Sequence, residues 1–311
     1  MFMNINYIEF FRHKLRSARV LVRRFQEMHS PSYIQTVLNQ TVDIRLIPKA
    51  RGKLRALQLL DVKLLKIVHD FCVRNEIRYC LAYGTLLGVQ RHNDFVPWDD
   101  DIDIYILKED YARFRDLLQK EMAGTDFCLY GIENCRLEDT TLRISHKMMP
   151  NLNVDIFYLH PVSIDREGFK AITKCARKVK KHYMFDYRYR IMGKENKERL
   201  DAFRQAYDTE YDKAVGGCDF SVAKGFVADV SCTWHYFPKS VMFPFKLTNW
   251  MGHDFYVPAD PVGYLESQYG DWLSFPPRFD HHGDQFMSFT NEQAEKMEAH
   301  LDKCVAQGKF L

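Results

Sequence analysis

The sequence has no run of about 18 or more apolar residues, the length a membrane-spanning helix needs. Its N-terminal stretch, MFMNINYIEFFRHKLRSARVLVRRF, shows no uninterrupted apolar segment and no small-residue cleavage site, so no secretory signal is expected. None of the eight cysteines is spaced as CxxC, which argues against a zinc ribbon or a disulfide framework and for reduced thiols. The net charge of +3, from 44 basic and 41 acidic residues, is too weak for a general nucleic-acid binder. It leaves room for a local basic cluster and a small anionic ligand. Internal repeats and low-complexity tracts are absent. A disordered chain is excluded too, because 46% of residues are hydrophobic and 27% charged, the balance of a soluble globular protein.

Residues 5–29 predict a basic amphipathic helix, with Tyr7, Ile8, Phe11, Leu15, Leu21 and Phe25 at helical spacing among six Lys and Arg side chains. Such a helix packs on the protein body or lies on an anionic membrane surface. A polar connector ending near Pro48 follows. Residues 54–75 predict a strong helix whose stripe is Leu57, Leu60, Leu64, Ile67, Val68 and Phe71. Strands are expected at 79–83, 102–107, 127–131, 141–148 and 153–159, with a helix starting at LLGVQR and another over 109–122. Residues 166–190 and 197–215 predict further helices. After Gly216-Gly217 the pattern turns irregular and proline-rich. The expected domains are 1–50 (amphipathic helix and connector), 51–165 (a mixed α/β core) and 166–311 (a helical and loop-rich C-terminal part).

The most informative segment is Pro97-Trp98-Asp99-Asp100-Asp101-Ile102-Asp103-Ile104. Four carboxylates fall within five residues and lead directly into an apolar strand. Alternation puts Asp101 and Asp103 on one face, with Asp99 behind them if the strand reaches that far, and the isoleucines on the core face. Asp100, on the other face, reads as structural. Stacked like charges call for a cation, and Mg2+ or Mn2+ suits carboxylate oxygen. An EF-hand loop would need glycine where Ile104 stands and glutamate where Asp110 stands, so a calcium loop is rejected. Asp155, between Val154 and Ile156 in a later strand, is costly to bury unpaired and becomes a third metal ligand or a base.

Tyr83-Gly84-Thr85-Leu86-Leu87-Gly88, then Arg91-His92, then Phe95 through Ile104 resemble the LicD family, which includes the fukutin-related proteins and falls in the nucleotidyltransferase superfamily. Val257-Pro258, Tyr264-Leu265, Tyr269-Gly270-Asp271-Trp272 and Pro276-Pro277 are similar to that family's later motif. The resemblance covers roughly residues 55–280. It implies an α+β fold, a nucleotidyltransferase-like mixed sheet flanked by helices, with a helical and loop-rich C-terminal part walling the acceptor cleft. It implies a metal-dependent phosphotransferase that moves phosphocholine or a polyol phosphate from a CDP-linked donor to a hydroxyl of a cell-surface glycan, such as lipopolysaccharide, capsule or teichoic acid, and releases CMP. The chain departs from the animal relatives in lacking clustered cysteines for a zinc loop and a transmembrane anchor. That departure points to a bacterial-type cytoplasmic enzyme, peripheral at the inner membrane face if residues 5–29 touch lipid.

In this reading Asp101, Asp103 and Asp155 hold Mg2+ (or Mn2+) and carry the catalysis. Asp155 completes the metal site or takes the acceptor proton. Asp99 binds a second metal or orients the donor. Gly84 and Thr85 present N–H groups and a hydroxyl to phosphate at a helix N-terminus. Arg91, and less strongly His92, are phosphate contacts. Arg143 and Lys147, alternating with Ser145 on one strand face, neutralise diphosphate oxygens. Asp271 holds substrate hydroxyls or an ammonium group. His281 and His282 are weaker substrate contacts, and Trp250, Tyr256, Tyr264, Tyr269 and Trp272 default to packing. The partners are the CDP-linked donor and a glycan or lipid-linked glycan acceptor. Two alternatives stand beside this one: a DxD glycosyltransferase using a nucleotide-sugar, and a non-enzymatic scaffold of the same fold. The first gives no reason for Gly84-Thr85 or for Asp155.

Overall fold

A computed structural model describes residues 30–132, 141–170, 205, 209, 211–212, 216–230, 233–276 and 288–311. The amphipathic segment 5–29, most of the two helices expected between 166 and 215, Pro277, His281 and His282 lie outside the described residues. The chain divides into two compact units, Met1–Ile47 with Asp271–His281 and Pro48–Gly270 with His282–Leu311. The expected boundary at residue 165 falls inside the larger unit. Among the described residues no helix is long and apolar enough to cross a membrane.

The smaller unit holds helix α1 (Pro31–Thr41). Ser30 caps it by accepting the Tyr33 N–H, and proline occupies its first turn, where a missing N–H costs nothing. Gln35 and Asn39 on this helix clamp the backbone of Phe275, at 2.7 and 2.6 Å.

In the larger unit, α2 (Gly52–Arg74) is followed by β1 (Tyr79–Leu81), α3 (Tyr83–His92), β2 (Ile102–Leu107), α4 (Lys108–Met122), β3 (Phe127–Ile132), β4 (Thr141–His146) and β5 (Met149–Val162). Then come β6 (Gly225–Val230), β7 (Thr233–Pro238), α5 (Lys239–Met242), β8 (Lys246–Trp250), β9 (His253–Val257), α6 (Pro261–Tyr269) and α7 (Asn291–Gln307). The main sheet runs β1-β2-β5-β4-β3, and β6 and β7 extend it from the far end of β5. Among the described residues only the β2–β5 pair is parallel. That pairing sets Asp103 directly beside Asp155. The sheet is therefore mixed and flanked by helices, an α+β architecture.

Every member of the apolar stripe expected on α2 is buried. The helix packs on β5 and β2. Helix α7 lies along it, tied by Lys63 to Glu298 and Asp302. On the other side of β2, Tyr105 meets Tyr83, Phe157, Phe237 and Tyr264 in an aromatic cluster.

Three expectations change. Strand β1 stops at Leu81, because Tyr83 adopts φ +37° and opens α3. Strand β2 spans Ile102–Leu107 as expected, but the alternation does not extend back from it: Asp99, Asp100 and Asp101 stand on a turn in which the Asp99 N–H returns to the Val96 carbonyl. The proline-rich C-terminal stretch is also more regular than its pattern predicted. Its prolines punctuate elements rather than break them: Pro238 closes β7, Pro258 follows β9 and Pro261 opens α6. The β8–β9 turn has Met251 and Gly252 both at positive φ, the conformation that matches strand twist in a tight hairpin.

Candidate active site

The start of α3 and the start of β2 are built against each other. The Tyr83 N–H donates to the Tyr264 hydroxyl at 3.1 Å. Thr85 Oγ1 accepts the Asp103 N–H at 2.8 Å, and the Gly84 N–H faces the Asp103 carboxylate. A Cβ on Gly84 would fall 2.4 Å from Asp99 Oδ2, so only glycine admits that carboxylate here. The Gly84-Thr85 turn, expected to face phosphate, thus has Asp99 and Asp103 as its neighbours.

Carboxylate oxygens of Asp101, Asp103 and Asp155 lie within 4.8 Å of one another, and those of Asp99, Asp100 and Asp101 do the same. Asp101 belongs to both groups. At 4.8 Å two unit charges repel by about 3.5 kcal/mol at an effective dielectric near 20. Burial, reinforced by Asp101, pushes both Asp99 and Asp103 well above the usual carboxylate range, and Arg91 opposes this at Asp99. Asp99 Oδ2 is buried without a hydrogen-bond partner. All-oxygen donors, crowded like charge and an orphaned buried oxygen fit a hard divalent cation. Asp101, Asp103 and Asp155 are the residues able to hold it, with Asp99 and Asp100 available beside them.

Two arginines border the carboxylates. Arg143, opposite Asp155 on β4, gives both Asp155 oxygens a hydrogen bond at 2.5 Å. Its side chain therefore serves the acidic centre directly rather than standing free for diphosphate. Arg91 is buried, and burial lowers its pKa to about 10, with Tyr269 and Asp99 acting the other way. It stays charged at neutral pH. Its Nε donates to His92 Nε2 at 3.0 Å, and burial and Arg91 hold His92 down near 4, so that ring is a neutral acceptor. Beside the carboxylates opens a cavity of about 460 Å3, walled by Asp100, Asp101, Tyr130, Arg143, Asn151 and Asn153 among others.

Residues 76–196 match the family described as LicD/FKTN/FKRP, nucleotidyltransferase domain. That span contains Gly84, the acidic turn, Arg143 and Asp155. Over that span the chain resembles the LicD family. It is similar to the Lipopolysaccharide cholinephosphotransferase LicD of Haemophilus influenzae, 26% identical over 252 residues that make up 73% of this chain and 94% of that protein. It also resembles the Ribitol 5-phosphate transferase FKRP of Homo sapiens, 34% identical over 86 residues, which are 27% of this chain and 17% of that one.

The matched span thus gathers Gly84, Thr85, Arg91, Asp99, Asp101, Asp103, Arg143 and Asp155. Lys147 is not among them. It stands in the β4–β5 turn, paired with Asp126 at 3.1 Å, four residues and roughly 13 Å of strand beyond Arg143. Ser145 is spent on the Pro150 carbonyl of the same hairpin. Asp271 belongs to the smaller unit, where it is exposed and accepts from the Ser274 hydroxyl. Trp250, Tyr256 and Tyr264 are packing residues, buried or half-buried, and Tyr264 also caps α3. Asp100, read from alternation as structural, joins the cluster because the turn replaces the strand there. Sequence reasoning missed Gln58 and Asp61, two fully buried polar residues on α2. Their only signal was polarity at positions where an amphipathic helix should be apolar.

Proposed function

We propose that this chain is a metal-dependent phosphotransferase that moves a phospho-alcohol from a CDP-linked donor to a glycan hydroxyl, with release of CMP. The observation that carries this reading is the convergence of Asp101, Asp103 and Asp155 within 4.8 Å at the head of α3, inside the span that matches the LicD family. In the reaction the acceptor oxygen forms a bond to the distal phosphorus of the donor, its proton passes to a carboxylate of the acidic cluster, and the bond from that phosphorus to the CMP oxygen breaks with its electron pair leaving on CMP. Such transfers depend on positioning and charge neutralisation.

Asp101, Asp103 and Asp155 would hold Mg2+ or Mn2+, with Asp99 and Asp100 available to a second ion that shares Asp101. The ion supplies Lewis-acid neutralisation of diphosphate charge. Arg91, a buried cation beside Asp99, binds phosphate oxygens. Arg143 holds both oxygens of Asp155 in place, which favours a ligand role for Asp155 over that of a proton acceptor. Asp100 and Asp101, on the wall of the cavity, are the carboxylates an incoming hydroxyl meets first. The similarity to the H. influenzae protein, which spans 94% of that protein, makes phosphocholine the first group to test and ribitol phosphate the second. A lipid-linked acceptor would suit a cytoplasmic enzyme drawn to an anionic membrane by the basic segment 5–29. The third carboxylate and the Gly84-Thr85 contacts favour this reading over a DxD glycosyltransferase, whose chemistry requires neither.

The test is thermal melting with CDP-choline, CDP-ribitol, CDP-glycerol, CMP and UDP-glucose, each with Mg2+ and with EDTA. A ligand at about 100 times its Kd adds roughly 2.7 kcal/mol. Mg2+-dependent stabilisation by the cytidine ligands is the expected result. Stabilisation by UDP-glucose alone refutes the proposal.

A further inference from the structure

Helix α2 precedes the residues matched to the family and contributes no carboxylate to the cluster, yet it touches both halves of it. Its apolar stripe is interrupted by Arg55, Gln58 and Asp61, spaced i, i+3, i+6, so they lie in one row about 9 Å long on a single side of the helix. Gln58 and Asp61 are fully buried. Buried polar groups of this kind destabilise a fold unless they are partnered, and leucine would serve better if packing were the only demand.

Their partners are specific. Arg55 grips both oxygens of Asp94 at 2.6 and 3.0 Å, and Lys49 adds a third contact at 2.8 Å. Asp94 opens the turn that carries Asp99, Asp100 and Asp101. Gln58 Nε2 donates to the Asp99 carbonyl at 2.9 Å, while its Oε1 accepts from Arg55 at 3.2 Å. Asp61 Oδ1 accepts the backbone N–H of Asn153 at 3.1 Å, two residues before Asp155 on β5. One rigid helix thus holds the main chain of the acidic turn and the main chain of the strand that brings the third carboxylate.

We propose that α2 is the positioning element of the acidic centre, with Arg55, Gln58 and Asp61 as positioning residues that keep the turn 94–101 and strand β5 in register for a divalent cation. This rests on the metal reading given above. The three side chains touch no substrate in this role. They fix the spacing of carboxylates that repel one another and would otherwise separate. Asp61 is fully buried and its Oδ2 has no hydrogen-bond partner, so this row is held at a desolvation cost.

The experiment compares the whole chain with Gln58→Leu, Asp61→Leu and Asp61→Asn by two readouts. The first is Mn2+ affinity by electron paramagnetic resonance. The second is hydrogen–deuterium exchange without metal, followed in peptides covering 94–101, 151–155 and 291–307. Gln58→Leu is expected to bind Mn2+ about tenfold more weakly, as loss of outer-shell support does elsewhere, and to speed exchange at 94–101 but not in α7. Asp61→Leu is expected to speed exchange at 151–155, and Asp61→Asn, which keeps the acceptor for the Asn153 N–H, to restore it. If Asp61→Leu does not fold, Gln58→Leu and Asp61→Asn still decide the matter. Wild-type exchange and wild-type Mn2+ affinity in Gln58→Leu overturn the proposal, and so does a uniform loosening that includes α7. A wild-type chain that binds no Mn2+ overturns the metal reading instead, and exchange then decides the positioning role by itself.

Discussion

Replacing Gly84 with alanine separates catalytic geometry from fold stability. Gly84 is the second residue of α3, where alanine gains up to about 1 kcal/mol in helix propensity over glycine. The new methyl would stand 2.4 Å from Asp99 Oδ2. Ordinary carbon–oxygen contact needs about 1 Å more, so the carboxylate has to swing away while the backbone stays. The propensity gain offsets much of that shift, and the melting temperature should stay within a few degrees of wild type. The site does not escape so lightly, because a displacement of about 1 Å at a reacting centre costs on the order of 100-fold in rate. Gly88→Ala is the control. Its Cβ would lie 2.6 Å from the Asp94 carbonyl and 2.9 Å from the Val96 nitrogen, both backbone atoms that cannot rotate aside. Overpacking of that kind costs about 1–3 kcal/mol, or on the order of 5 °C for a chain of this size. The assays are thermal melts, Mn2+ titration and CMP release from whichever CDP-linked donor stabilises the protein. Gly84→Ala with wild-type turnover and wild-type Mn2+ affinity would refute the assignment of Asp99 to the centre.

Arg143→Ala leaves the buried Asp155 carboxylate without its bidentate partner and should destabilise the protein by about 3 kcal/mol in urea melts, with Arg143→Lys a poor rescue because a single ammonium cannot match both oxygens. His146 is held neutral, its pKa lowered to about 4 by burial and by His300. The unfolded chain takes up that proton first, so stability present above pH 6.5 is lost as pH falls toward 4, and His146→Leu should lessen the loss measured by denaturant melts between pH 7 and 5. The carboxyls of Asp61, Asp99 and Asp103 are raised, which has the opposite sign: their contribution is present at low pH and is lost as pH rises through their folded-state values. Divalent metal relieves that repulsion, so the melting temperature with Mn2+ minus that with EDTA should be larger at pH 8 than at pH 6. An equal or smaller difference at pH 8 would show that the carboxylates do not hold the ion.

What the amino-acid sequence determined by itself was local and periodic. The α2 stripe, the isoleucines of β2 and the acidic run are each written in consecutive residues, and each side chain's neighbours along the chain decide its face. The chemistry of the centre was legible for the same reason, since four carboxylates ahead of an apolar strand need a counter-charge wherever the chain goes. Tertiary structure decided what depends on residues far apart in sequence. Alternation could not show how the turn ahead of Ile102 folds, and it is that turn which brings Asp100 from the far face into the cluster. Nor could it show that Arg143 faces Asp155 while Lys147, on the same predicted face, runs past the hairpin to Asp126, because register is a property of paired strands. The strands after residue 216 were hidden by prolines that mark element ends only once their partners are known. Gln58 and Asp61 were read as part of an amphipathic helix. A buried amide and a buried carboxylate acquire a purpose only when a distant carbonyl and a distant N–H are brought against them, and that is settled by packing rather than by sequence.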